Sequence, residues 1–137
     1  MNSNKFIYQP MILLDNRRME YEFCMSNIKL DGGYFLEFGV YNGKSINILS
    51  KLRENNYFHG FDTFEGLPED WDMGDKIIPT GHFKLKELPK VNKNVILYKG
   101  LFENTIIEWQ KKFSGPISFI NMDCDLYSST KTVLETL

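Results

Sequence analysis

The sequence predicts an α/β fold built on an open parallel sheet, and three observations carry that expectation. Four short apolar runs, residues 34–38, 57–62, 95–98 and 117–122, have strand length and are punctuated by Gly32-Gly33, Asn55-Asn56 and Ser114-Gly115-Pro116. Segments with apolar residues spaced by three and four follow the first, third and fourth runs. The first run also enters its helix through glycines, and in open α/β sheets such a turn lies where ligands bind, outside the carboxyl ends of the strands.

The elements follow in order. Met11, Leu14, Tyr21, Met25 and Ile28 share one face of a helix expected over residues 10–29, interrupted only by Arg18. Pro10 suits its first turn, and Asp31-Gly32-Gly33 ends it. Arg17 and Arg18 are expected on the surface. The first strand is Tyr34 to Phe38, and a helix starting near Gly43 to Ser45 carries Ile46, Leu49 and Leu52, with Ile48 beside them. The second strand, Tyr57 to Asp62, contains His59, expected to be packed rather than catalytic.

Residues 69–93 have no period and contain Pro79, Gly81 and Pro89, which predicts a lid or a substrate-facing excursion. Trp71 anchors that loop or closes over a ligand, while His82 has no evident partner to orient it as a base. Five lysines from Lys84 to Lys99 read as a solvated surface. Val95 to Tyr98 is the third strand. Asn104 or Thr105 is expected to cap a helix carrying Ile106, Ile107, Gln110 and Phe113, with Trp109 on its flank. Residues 117–122 make the fourth strand. Thr130, Val133, Leu134 and Leu137 mark a helix still in progress at the last residue, so an oligomer or a continuing chain is expected to cover the fourth strand as a hydrophobic edge.

Composition limits the function. With 137 residues and 42% hydrophobic content, one globular core is expected, preceded by a helical segment over residues 1–30 and occupying residues 31–137. A net charge of −2 leaves no basic footprint for nucleic acid, and no apolar run is long enough to cross a membrane. The two cysteines, Cys24 and Cys124, lack metal-site spacing, and the amino terminus lacks a secretory pattern, so a cytoplasmic location is expected.

The candidate chemistry centres on residues 34–45. A dinucleotide fingerprint starting at Gly39 requires glycines where Tyr41 and Lys44 stand. A phosphate-binding loop ending in Gly43-Lys44-Ser45 requires four residues between its glycines, and Gly39 and Gly43 have three between them. Glu37 would also oppose a phosphate and suits a ligand carrying an ammonium group. Asp62 ends the second strand 23 residues beyond Gly39, where nucleotide sites hold an acid for ribose hydroxyls. Asp123 and Asp125 follow the fourth strand, and two carboxylates there suit a hard cation such as Mg2+; Asp125 alternatively caps the next helix.

The acid, one residue, glycine, three residues, glycine pattern of Glu37, Gly39 and Gly43 resembles the first motif of class I S-adenosylmethionine-dependent methyltransferases. Residues 60–71 (Gly60-Phe61-Asp62-Thr63-Phe64-Glu65-Gly66-Leu67-Pro68-Glu69-Asp70-Trp71) resemble the segment after strand two in the macrocin O-methyltransferase family, metal-dependent methyltransferases of sugar hydroxyls. Residues 99–105 and 121–130 resemble that family's segments after strands three and four.

The resemblance implies a Rossmann-like methyltransferase sheet of which the first four strands are present, in the order 3-2-1-4. It implies S-adenosyl-L-methionine bound by Glu37, Gly39, Tyr41, Gly43, Ser45, Asp62, Thr63, Phe64, Gly100, Leu101, Phe102 and Asp123. Asp123 is implied as the catalytic residue and as the favoured ligand of the Mg2+ site, where Asp125 stands beside it as a second carboxylate, with a small-molecule hydroxyl as acceptor. Two other readings stand beside it: a nucleotide phosphohydrolase using Lys44 and Ser45, and a non-catalytic fragment of a methyltransferase fold.

Overall fold

Residues 35–38 are all buried, as in a strand covered on both faces. They belong to β1 (Tyr34–Phe38) of a computed structural model that describes residues 16–30 and 32–137. The elements run α1 (Arg17–Ser26), β1, α2 (Lys44–Leu52), β2 (Phe58–Asp62), β3 (Trp71–Asp72), β4 (Ile77–Ile78), β5 (Val95–Lys99), α3 (Phe102–Gln110), β6 (Ile117–Met122) and α4 (Tyr127–Thr136).

The four longer strands form one parallel sheet in the order β5-β2-β1-β6. Counted along the chain, that is the expected 3-2-1-4. After β1 the chain steps outward through β2 to β5, then returns to the other side of β1 as β6. The order therefore reverses between β1 and β6, and the crevice at such a switch point is where open α/β sheets bind ligands.

Alternation along β1 sorts the core into two layers. Phe35 faces α1 and α2 with Phe58, Tyr21, Met25, Ile46 and Leu49. Leu36 and Phe38 face α3 and α4 with Phe61, Ile106, Trp109 and Val133. Register reinforces the layers: Phe35 pairs with Phe58, their ring centroids 4.9 Å apart, and Phe38 with Phe61 at 4.7 Å. Burying each such side chain contributes about 1.5–3 kcal/mol. Gly60 lies under α2, where a Cβ would come within 2.6 Å of Ile46 Cδ1, so the missing side chain lets the helix seat on the sheet.

The structure corrects several sequence expectations. Trp109 is a core residue at 3% exposure, whereas Ile107 and Gln110 face outward. The reason is phase: α3 begins at Phe102, with Leu101 as its N-cap, and its buried face is Thr105, Ile106 and Trp109. Neither Asn104 nor Thr105 caps it; the Thr105 hydroxyl instead donates to the Leu101 carbonyl at 3.0 Å. Leu134 is exposed, and Val133 alone of the last helix's expected stripe is fully buried.

Residues 69–93 are not wholly irregular, because β3 and β4 pair antiparallel, with Trp71 opposite Ile78. Tyr21 and Met25 are buried as expected, while Pro10, Met11, Leu14 and Asp31 lie outside the described residues. His59 is packed as expected: its Nδ1 lies 2.9 Å from the Tyr98 hydroxyl and 3.2 Å from the Trp109 indole nitrogen. Among the described residues no helix is long and apolar enough to cross a membrane.

Candidate functional site

At the switch point the ends of β1 and β6 touch. The Asp123 N–H donates to the Phe38 carbonyl at 2.9 Å, and Gly39 turns away with φ at 89°. A Cβ on Gly39 would stand 2.2 Å from the Asp123 carbonyl oxygen, so only glycine fits there. Gly39 is thus required by the neighbouring strand, independently of any ligand.

Two clefts open from this junction and share Gly39 and Asp123. The first, about 330 Å3, lies between the segments following β2, β5 and β6. Among the described residues its walls carry Phe83, Leu101 and Phe102 together with five carboxylates, Asp62, Glu69, Glu103, Asp123 and Asp125, and no Lys, Arg or His. The second, about 610 Å3, lies between α1 and the β1–α2 turn and, among the described residues, carries Arg17, Arg18 and Lys44 against the single acid Asp123. Arg17 reaches across from α1 to within 3.6 Å of Asp123 Oδ2. The aromatic pair Tyr41 and Phe83, centroids 5.2 Å apart, joins the two clefts, and both residues have positive φ, 47° and 70°.

Of the expected ligand residues, Asp62, Thr63, Leu101, Phe102 and Asp125 line the first cleft, and Tyr41 and Ser45 the second. Gly39 and Asp123 line both, whereas Glu37, Gly43, Phe64 and Gly100 line neither. Phe64 is core, 2% exposed. Gly43 is the left-handed N-cap of α2, at φ 77°.

Glu37 departs furthest from its expected place. It shares the sheet face of Phe35, has no exposed surface, and accepts hydrogen bonds from Ser45 Oγ at 2.7 Å and Asn121 Nδ2 at 3.0 Å. Burial pushes its pKa up to about 7, against the lowering effect of those two donors. Ser45 is consequently turned inward, and its hydroxyl does not face a phosphate.

Asp62 reaches the cleft wall, but its carboxylate already works for the backbone. Oδ2 accepts from the Val40 and Tyr41 N–H groups at 2.9 and 2.7 Å, and Oδ1 from Phe64 N–H at 2.7 Å. It clamps the β1–α2 turn to the end of β2. Of about four acceptor positions on a carboxylate, one is left for a ligand.

The expected Mg2+ site is not matched by the residues present. Among the described residues no group of three or more His, Cys, Asp or Glu is arranged to hold a metal ion. Arg17 already stands against Asp123, and Asp125 has its pKa raised by burial and then by Asp123. Asp125 does not cap α4 either, since the N-cap is Leu126 and no side chain bonds there.

Several lining residues were missed by sequence reasoning. Glu69 accepts a short hydrogen bond from Ser128, tying the loop after β2 to α4 across the first cleft. Glu103 directly follows Leu101 and Phe102, a signal within the recognised segment. Phe83 carries none, because it lies in an aperiodic loop. Trp71 lines neither cleft, and His82 is exposed with its ring edge-on to Phe83. Of the five lysines, Lys84 and Lys99 both pair with Glu65, whose pKa they lower to about 2.

The fold is shared with solved proteins. A crystal structure of CalS11, a calicheamicin methyltransferase, matches with a TM-score of 0.70 at 24% identity, over 87% of this chain and 57% of that one. An apo structure of CalS11, described as a TDP-rhamnose 3'-O-methyltransferase of calicheamicin biosynthesis, matches with a TM-score of 0.61 at 19% identity, over 87% of this chain and 56% of that one. No protein-family model and no curated protein sequence matches. The chain thus spans less than two thirds of the solved chains it matches, and what it shares with them is a Rossmann-like methyltransferase fold.

Proposed function

We propose that this chain is the cofactor-binding part of an S-adenosylmethionine-dependent O-methyltransferase whose acceptor is a small-molecule hydroxyl, with a sugar as the first candidate. The observation that carries the reading is the pair of clefts meeting at Gly39 and Asp123, where the strand order reverses. The sugar O-methyltransferase activity named for the solved neighbour of the same fold supports the acceptor class.

The residues fit such a cofactor. The first cleft, about 330 Å3, falls within the range of small-molecule sites, about 300–1,000 Å3. Phe83, Leu101 and Phe102 offer apolar surface to a base, and Asp62 keeps an acceptor position for a ribose hydroxyl. In the second cleft Arg17 and Lys44 suit a carboxylate. The bound cofactor supplies a methyl group on a sulfonium, already a good leaving group. The chain's own task is orientation, which in favourable cases contributes about 7–11 kcal/mol. The hydrogen bond between Glu69 and Ser128 holds the loop after β2 against the start of α4 beside the first cleft. Asp123, exposed at the junction, is the carboxylate that accepts a hydrogen bond from the attacking hydroxyl.

Isothermal titration of the chain with S-adenosylhomocysteine, and in parallel with ATP plus Mg2+, tests this reading. Binding of S-adenosylhomocysteine alone is expected. Binding of ATP alone would replace the proposal with a nucleotide phosphohydrolase, and silence from both would leave a non-catalytic fragment of the fold.

A further inference from the structure

We infer that Glu37 is a positioning residue, a buried strut that sets the wall of the second cleft through Ser45 and Asn121 rather than by touching a ligand. The inference deepens the methyltransferase reading and rests on it for its ligand.

Glu37 lies one residue before the end of the central strand, fully buried, and lines neither cleft. Its two oxygens are divided between two elements. Oε1 takes the hydroxyl of Ser45, in the first turn of α2, and Oε2 takes the amide of Asn121, near the end of β6. One carboxylate therefore fixes α2 against β6 across β1, behind the turn that carries Gly39, Tyr41 and Gly43.

Two consequences reach the cleft. Ser45 lines it, and its orientation is set by Glu37. Tyr21, a buried residue of α1 whose side chain forms the opposite wall, has its pKa raised by burial and, to a smaller extent, by the Glu37 charge. The charged and titratable groups acting on it from the surrounding elements are Tyr21 of α1 and Asp123 after β6.

The residue type follows from the geometry. A strut needs an acceptor at each end because both Ser45 and Asn121 present donors. Glutamine serves nearly as well: its oxygen faces Asn121, its amide donates to Ser45 Oγ, and the serine hydroxyl, donor and acceptor at once, turns to suit. Alanine leaves two donors unpaired.

The test compares Glu37→Gln, Glu37→Ala and Asn121→Ala in the full chain, by titration with S-adenosylhomocysteine and by amide hydrogen exchange over residues 41–46 and 121–124. Glutamine is expected to bind at least fivefold more tightly than alanine, a rescue that a direct charge contact does not allow. Asn121→Ala, at a residue lining neither cleft, is expected to weaken binding threefold or more and to speed exchange in the 41–46 turn. If Glu37→Gln falls as far as Glu37→Ala while Asn121→Ala binds like the wild type, Glu37 touches the ligand and the inference is overturned. Should Glu37→Ala not fold, Glu37→Gln and Asn121→Ala still decide. If the wild type binds no S-adenosylhomocysteine, the proposed function fails, and exchange alone decides the strut: unchanged protection of residues 41–46 in Asn121→Ala overturns it.

Discussion

Glu37 and His59 occupy adjacent central strands on opposite faces of the sheet, and both are almost wholly buried. Burial drives each toward its neutral form: the pKa of Glu37 rises to about 7 and that of His59 falls to about 4. Their surroundings differ. Glu37 is met by polar groups from two neighbouring elements next to a cleft, whereas His59 meets its polar partners, the Tyr98 hydroxyl and the Trp109 indole N–H, inside a cage of the rings of Tyr34, Tyr98, Trp109 and Phe113. The same desolvation therefore yields a polar joint on one face and an aromatic core on the other. An ionisable residue in a strand is informative through its partners more than through its type.

Asp62, a third acid at the same sheet edge, gives the sharpest way to extend the comparison. It is only half-buried, yet holds three backbone N–H groups, so Asp62→Ala is expected to cost about 4 kcal/mol of stability. Asp62→Asn, which keeps one oxygen, should lose roughly half as much. Urea denaturation measures both, and a loss below about 1 kcal/mol for Asp62→Ala would mean that the clamp on the turn carries no weight.

The two buried groups should tilt the pH dependence of stability in opposite directions. Glu37 has a raised folded pKa, so its contribution is present below about 4.5 and is lost as pH rises through about 7. His59 has a lowered one, so its contribution is present above about 6.5 and is lost as pH falls through about 4. Each amounts to about 3 kcal/mol at full extent, and between pH 5 and 6.5 they oppose one another. Glu37→Gln should remove the first slope and expose the second, making the variant more stable relative to wild type at pH 8 than at pH 5. Thermal melts at the two pH values check the sign, and an unchanged difference would show that Glu37 does not titrate in this range.

The smallest effect belongs to the exposed bridge between Arg17 and Asp123. At 3.6 Å, with the Arg17 side chain 67% and the Asp123 side chain 40% exposed, Arg17→Ala should change stability by less than about 1 kcal/mol. On the proposed reading it should nevertheless weaken binding of S-adenosylhomocysteine about threefold or more, and equal affinity would remove Arg17 from the second cleft.

Strand order came with the family resemblance, and strand positions were legible because residues 34–38, 95–98 and 117–122 are short apolar runs bounded by turn residues, although only the first is buried along most of its length. The edge that carries the site was legible for the same reason. Less visible was what each polar residue would bond. Sequence shows that Asp62 ends a strand, but not that the N–H groups of Val40, Tyr41 and Phe64 converge on it. Glu37 was misread because the face it takes is set by alternation with Phe35, which turns it under α2. Trp109 was misplaced by an error in where α3 begins, since shifting the first turn rotates every later residue. The hairpin of Trp71 and Ile78 is too short to leave a period, and Phe83 reaches the cleft through loop geometry alone.

At Gly39 the two strand ends leave no room for a methyl group. This junction is therefore closed to adjustment by side chain: no substitution can be accommodated without prising β1 from β6. Change in what the clefts accept has to come from their outer walls, in the loop of residues 66–83, the start of α3 and the face of α1. The centre of the molecule is a fixed hinge-pin around which recognition can be rewritten, and libraries aimed at altered ligand choice should leave Gly39 alone and vary the rim.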